Sequence, residues 1–316
     1  YIDAGNLEIG SMLAFIQYAM QIIISFLFIA MMFIFLPRAA VSMGRVGEIL
    51  KKEISITDKE NTQEIRDKCG VVEFKNVSFR YADAEDAVLS DISFTARSGE
   101  TTAFIGSTGS GKTTLVNLIP RFFDVTEGSI TIDGVDIRDM KQHELREMIG
   151  YVPQKGMLFS GDIKSNIAYG AEDKSFENIK RAAEVAQAED FIMEKEEGFD
   201  APVAQGGTNV SGGQKQRLSI ARALAKKAPI YIFDDSFSAL DFKTDAALRK
   251  ELKKSAGEST LLIVAQRIST IADADQIIVL NEGRIAGKGT HKELMQTCGV
   301  YREIASSQLD SGKGEM

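Results

Sequence analysis

Gly106-Ser107-Thr108-Gly109-Ser110-Gly111-Lys112-Thr113 places four residues between two glycines and follows the second glycine with a lysine and a hydroxyl residue. This is the phosphate-loop spacing, which requires a strand before it and a helix after it. Thr101 to Ile105 reads as a buried strand and Thr114 to Ile119 as a helix, so the context is right. Glycines let the backbone wrap closely around phosphates, and the N–H groups of Ser107 to Gly111 and of the helix start point at the anion. Lys112 reaches the outer phosphates, Thr113 ligates magnesium, and Thr114 completes the set of candidate nucleotide-binding residues. A nucleotide site is expected here before anything else is read.

The chain has 316 residues, enough for about two domains, and a formal net charge of -8. The acidic balance argues against a broad nucleic-acid surface, because duplex binding rests on Lys and Arg neutralising phosphates. Cys69 and Cys298 stand far apart and form neither a disulfide framework nor a zinc pattern, which suits a reduced setting. His143 and His291 have no partner at metal-ligand spacing and read as surface residues. The chain starts at Tyr1 with no basic stretch before its first apolar run, so no cleaved signal peptide is expected and the sequence reads as part of a longer polypeptide.

Leu13 to Leu36 is apolar apart from Gln17, Gln21 and Ser25. As a helix this run is about 36 Å long, against a hydrocarbon core of about 30 Å, so a transmembrane helix is expected. The three polar residues fall four apart and share one face. Asp3 and Glu8 precede the run, while Arg38, Arg45, Lys51 and Lys52 follow it, which puts the following side, and the phosphate loop with it, in the cytoplasm. Pro37 is expected to kink the helix near the boundary before Arg38 to Leu50 continue it. Residues 51–70 are polar and charged and read as a linker.

From Val71 the pattern turns to short β-rich runs, at Val71 to Phe74, Val77 to Tyr81, Ile92 to Ala96 and Ser129 to Ile132, which suggest an antiparallel subdomain. Lys141 to Met148 and Phe176 to Lys195 read as helices of a helical subdomain, and Glu194 to Glu197 as a solvated helix end. Phe122 and Phe123 read as core. Pro229 to Phe233, Thr260 to Val264, Gln276 to Leu280 and Arg284 to Ala286 suit buried strands of a parallel core. The strand at Pro229 to Phe233 ends in Asp234 and Asp235, and Ser211-Gly212-Gly213-Gln214 lies between the phosphate loop and that acid-tipped strand.

In this order the motifs resemble the ATP-binding cassette family, and more closely the exporters that fuse a membrane domain to a nucleotide-binding domain. The resemblance covers nearly the whole chain. It implies an α/β fold: a P-loop NTPase (RecA-like) core with an antiparallel β subdomain and an α-helical subdomain, preceded by one transmembrane helix. The domains would be 1–50, the last transmembrane helix and its extension; 51–70, the linker; 71–310, the nucleotide-binding domain; and 311–316, a disordered tail. The cofactors implied are ATP and Mg2+. Tyr81 matches the aromatic that stacks on adenine and Gly106 to Thr113 the Walker A loop. Gln154 matches the glutamine that touches magnesium, Asp234 the Walker B aspartate that also holds it, Ser211 to Gln214 the signature, and Asp241 the D-loop. Two such cassettes pair head to tail in the family, each ATP lying between one Walker A loop and the other chain's signature.

Three positions depart from the family pattern. Asp235 stands where a glutamate usually positions water, Gln266 stands where a histidine is usual, and Val203-Ala204-Gln205-Gly206-Gly207 replaces a segment that usually carries an acid. Asp235 and Gln266, with Gln154, are the candidate catalytic residues of this chain's own site. Their replacement implies a weakly hydrolytic site in one half of a heterodimeric multidrug-type exporter. The partners implied are a second half-transporter, membrane lipid and an unspecified transported solute, with no nucleic acid; the full-length chain would be a multi-pass membrane protein with its cassette in the cytoplasm. A homodimeric exporter using Asp235 as a slow base, and a soluble cassette clamp, are the alternatives.

Overall fold

β3 (Thr101–Gly106) explains the architecture, because alternate side chains point to opposite sides of a strand. Phe104 faces one buried apolar cluster, while Ala103 and Ile105 face a second. The same alternation runs through Ile230–Asp234, with Ile230 and Ile232 on one side and Tyr231 and Phe233 on the other. A strand buried on both faces has no polar side to show, which is why these runs are apolar throughout.

The computed structural model describes residues 8–311 apart from Arg66 and Asp83, with side chains described to Gln308. Asp3 and the tail from 312 onward therefore lie outside the described residues. The chain divides into two units, residues 1–57 and 58–316.

The first unit holds α1 (Ile9–Leu50), a single helix of 42 residues, about 63 Å at 1.5 Å per residue. It is long and apolar enough to cross a membrane, and none of its residues is buried. It runs from end to end with Pro37 inside it, and Ser25 returns its hydroxyl to the carbonyl of Gln21 at 2.8 Å.

The second unit starts with a strap. Asp58 accepts from the backbone N–H of Gln142 at 3.1 Å, Lys59 pairs with Asp139, and the N–H of Gln63 donates to Asp139 O at 2.7 Å. The bonds from Gln142 hold the Asp58 carboxyl below the usual carboxylate range. After the strap come β1 (Val72–Phe79), β2 (Leu89–Ala96), β3, α2 (Lys112–Leu118), β4 (Glu127–Ile132) and β5 (Val135–Asp136). The expected strands Val71 to Phe74 and Val77 to Tyr81 are one strand, β1, whose pairing is irregular around Asn76 at a φ of 48°. Strands β2, β1, β4 and β5 form an antiparallel sheet in that order.

Next are α3 (Gln142–Glu147), β6 (Ile149–Val152), β7 (Gly161–Asp162), α4 (Ile163–Ala168), α5 (Phe176–Val185), α6 (Glu189–Met193) and β8 (Pro202–Val203). The long helix expected over Phe176 to Lys195 is two helices, because Gln187 takes a left-handed φ of 55° that an α-helix cannot pass through. The chain ends with α7 (Gly212–Ala225), β9 (Ile230–Asp234), α8 (Phe242–Ser255), β10 (Thr260–Val264), α9 (Ile268–Ile271), β11 (Gln276–Asn281), β12 (Arg284–Gly289), α10 (His291–Thr297) and α11 (Gly299–Ser311).

The core sheet runs β12-β11-β3-β10-β9-β6, with parallel pairing from β11 through β6. β12 is antiparallel to β11, unlike the parallel strand expected there; two residues, Glu282 and Gly283, both at positive φ, join the pair as a tight hairpin. His291 is half-buried rather than a surface residue, its Nδ1 lying 2.7 Å from the buried Tyr301 hydroxyl. Phe122 and Phe123 are exposed rather than core, at 42% and 37%.

Candidate nucleotide site

Parallel pairing brings the carboxyl ends of β3, β10 and β9 level. Val264 lies opposite Phe104 on one side and opposite Asp234 on the other. The loops that leave these strands therefore open at one edge, where ligands bind in sheets of this kind. A cleft of about 240 Å³ lies there, lined by Thr108, Gly111, Lys112, Thr113, Asp234 and Asp235 among others.

The loop between β3 and α2 is shaped by its glycines. Gly109 and Gly111 take φ of 83° and 96°, which other residues rarely adopt. The Lys112 ammonium donates to the carbonyls of Gly106 and Ser107, each at 2.8 Å, and lies 3.4 Å from the Ser110 hydroxyl. Burial pushes the Lys112 pKa down, opposed by the charges of Asp235 and Asp234.

Thr113 donates its hydroxyl to Asp234 Oδ1 at 3.0 Å. Asp234 is 2% exposed, and burial raises its pKa, with the Asp235 charge adding to the rise while Thr113 and Lys112 oppose it. A buried carboxylate beside a hydroxyl is an oxygen donor pair that fits Mg2+, which takes few protein ligands and fills its octahedron with phosphate and water. The residues present therefore fit a magnesium nucleotide: Thr113 and Asp234 would hold the ion, and the loop the phosphates.

Asp235 has a left-handed φ of 48° and is 8% exposed. Its Oδ2 accepts from Nε2 of Gln154 at 3.2 Å and from Nε2 of Gln266 at 2.6 Å. The three candidate catalytic residues thus form one hydrogen-bonded group on the cleft wall, together with Val264, which sequence reasoning did not single out. Tyr81 stands beside the cleft. Its hydroxyl lies 3.1 Å from Thr114 Oγ1, and its ring meets Phe123 edge-on at 5.2 Å.

Ser211 to Gln214 and Asp241 are not among the residues lining this cleft. Ser211 and Gln214 form a capping box on α7: Ser211 Oγ accepts from the Gln214 N–H at 3.2 Å, and Gln214 Oε1 accepts from the Ser211 N–H at 3.0 Å. Asp241 caps α8, accepting from the N–H groups of Lys243 and Thr244 and from the Thr244 hydroxyl, and these bonds from Thr244 lower its pKa. Replacing Ser211→Ala is expected to cost about 1 kcal/mol through loss of the cap. A thermal melt should show this as a fall of about 2–4 °C.

Sheet order, glycine loop and the Thr113–Asp234 pair define a phosphate-loop nucleotide-binding protein. Comparison with known proteins narrows the class. Residues 89–238 match the family model described as ABC transporter. An ABC transporter ATP-binding protein of Mycobacterium tuberculosis is 44% identical over 311 residues, 97% of this chain and 53% of that protein. A Bacillus subtilis protein described as a multidrug export ATP-binding/permease protein is 41% identical over 308 residues, 98% of this chain and 53% of that protein. The structure of a bacterial Atm1-family ABC exporter with ATP bound superposes with a TM-score of 0.81 at 37% identity, covering 86% of this chain and 47% of that one. The chain carries the ATP-binding domain of the ABC transporter family. It spans about half the length of the curated relatives it matches.

Proposed function

We propose that this chain is the nucleotide-binding part of one half of a heterodimeric exporter, and that its own site retains ATP while the site it completes on its partner turns ATP over. The observation that carries this reading is the Asp235 carboxylate. Both amide bonds land on Oδ2 and tie the carboxylate to the cleft wall, so only Oδ1 remains to take a proton from water. Asp also falls one methylene, about 1.5 Å, short of a glutamate. Gln266 can hydrogen-bond a phosphate but cannot take up a positive charge or shuttle a proton as imidazole does.

In this site Lys112 and the N–H groups of the loop bind and orient the phosphates, and Thr113 and Asp234 hold Mg2+. The ion supplies charge neutralisation on the phosphate oxygens when bound. Tyr81 provides an aromatic face for the base. Across the dimer, the capped start of α7 at Ser211 to Gln214 presents its positive end to the partner's nucleotide. α1 serves as the last of the membrane helices, with Arg38, Arg45, Lys51 and Lys52 on the cytoplasmic side, where the cassette lies. Closure of the two cassettes on ATP and reopening on hydrolysis drives export, with the solute chosen by the membrane helices.

The test is asymmetry. In the full-length pair, Lys112→Ala is expected to leave a substantial share of ATP turnover, whereas the matching substitution in the partner abolishes it. Equal and complete loss from both sides would overturn the degenerate-site reading, and robust ATPase activity of this subunit purified alone would favour a homodimer.

A further inference from the structure

Gln266 is held from two directions. Its side chain reaches Asp235, and its backbone carbonyl accepts a 2.6 Å hydrogen bond from Nε2 of Gln308 on α11. Oε1 of the same Gln308 accepts from the backbone N–H of Ile268 at 2.8 Å. One carboxamide thus spans Gln266 to Ile268, its donor on one backbone group and its acceptor on another. Ile268 begins α9, whose N-cap residue Arg267 makes no side-chain capping bond, so Gln308 satisfies a helix-start N–H that the local sequence does not.

The arm that carries Gln308 is firmly mounted. Tyr301, Ala305 and Gln308 follow one another at i, i+4 and i+7, on one face of α11. Tyr301 is fully buried and Ala305 is 6% exposed, so this face packs on the core and delivers the carboxamide at a fixed place. On its other side the loop is tied through Arg267, which stacks over Phe242 at 5.0 Å and donates to the Ser238 carbonyl at 3.3 Å.

We propose that Gln308 is a positioning residue for the nucleotide site: it fixes the backbone at Gln266 so that the side-chain amide stays on Asp235, and it thereby couples the C-terminal helix to the retention of nucleotide. The inference rests on the retaining role given to this site above.

The experiment uses the full-length pair with the partner's phosphate-loop lysine replaced, so that only this chain's site binds nucleotide. A ribose-labelled fluorescent ATP is loaded with Mg2+ and chased with unlabelled ATP in a stopped-flow instrument. Gln308→Ala is expected to speed release roughly five- to tenfold, the size of effect that loss of one or two hydrogen bonds allows. Placed on a Gln266→Ala background, it should add nothing, because the two residues act in series. Gln308→Glu keeps an acceptor for Ile268 but loses the donor to Gln266, and should release at least as fast as Gln308→Ala. Release from Gln308→Ala or Gln308→Glu at the parent rate, while Gln266→Ala is faster, overturns the inference and leaves the retaining role standing. An equal acceleration by Gln308→Ala in both backgrounds overturns it as well, since the helix would then act without Gln266. Unchanged release from Gln266→Ala removes the retaining role of that residue and the inference with it.

Discussion

Asp235→Glu combined with Gln266→His is expected to raise ATP hydrolysis at this chain's own site by about a hundredfold, the rate penalty attached to misplacing a reacting group by about 1 Å. The glutamate restores reach. The histidine removes the amide now bonded to Asp235 Oδ2 at 2.6 Å and brings a group able to carry charge beside the phosphates. Either change alone should do much less, because Asp235→Glu leaves the amide donors in place and Gln266→His leaves the acid short. Phosphate release is measured in the full-length pair with the partner's phosphate-loop lysine replaced, so that only this site contributes. A rate within threefold of the parent would show that these two residues are not what limits the site. Position 235 has a φ of 48°, a conformation that Asp adopts more readily than most residues, so a melting curve of the variant belongs with the kinetics.

Gly106→Ala is expected to be the most damaging single methyl in the loop. A Cβ there would stand 2.2 Å from the Leu280 carbonyl oxygen and 2.7 Å from the Ser110 hydroxyl. The first neighbour is backbone of β11, paired opposite Gly106, so it can yield only by moving the sheet. Overpacking of this kind costs up to about 3 kcal/mol, which for a domain of this size lowers Tm by roughly 6–12 °C. Gly109→Ala is the matched control: it meets nothing within 4 Å, though its φ of 83° makes any side chain cost about 1–2 kcal/mol. Both variants should lose binding of a fluorescent ATP, and Gly106→Ala should melt lower than Gly109→Ala. Equal melting temperatures for Gly106→Ala and the parent would refute the close-approach account.

The phosphate loop, the acid-tipped strand and the long apolar run were legible because each is a contiguous pattern with its own local physics. The antiparallel and helical subdomains were legible as changes in periodicity. What the sequence concealed was conformation at single residues and pairing at a distance. Nothing in the letters around Gln187 marks it as the break between α5 and α6, because a left-handed glutamine is decided by packing rather than propensity. The direction of β12 rests on a two-residue turn, Glu282-Gly283, which lies in the polar break between the runs Gln276 to Leu280 and Arg284 to Ala286; reading both runs as parallel strands passes over that hairpin signal. At the site, spacing groups Gly106 to Thr113 but does not say that Gln154 and Gln266 share one oxygen of Asp235. Gln308 belongs to no motif and lies 42 residues from the loop it ties down, so only the fold brings it into view.

The sheet order also sets a timetable for the newborn chain. Thr113 and Asp234 are 121 residues apart, and β10, the strand that separates β3 from β9 in the sheet, ends only at Val264. A ribosome must therefore release most of the cassette before the walls of the nucleotide cleft can come together. ATP cannot guide the early stages of folding, when the β1–β2 hairpin can already form. Its binding energy acts only afterwards, as mass action on a finished sheet.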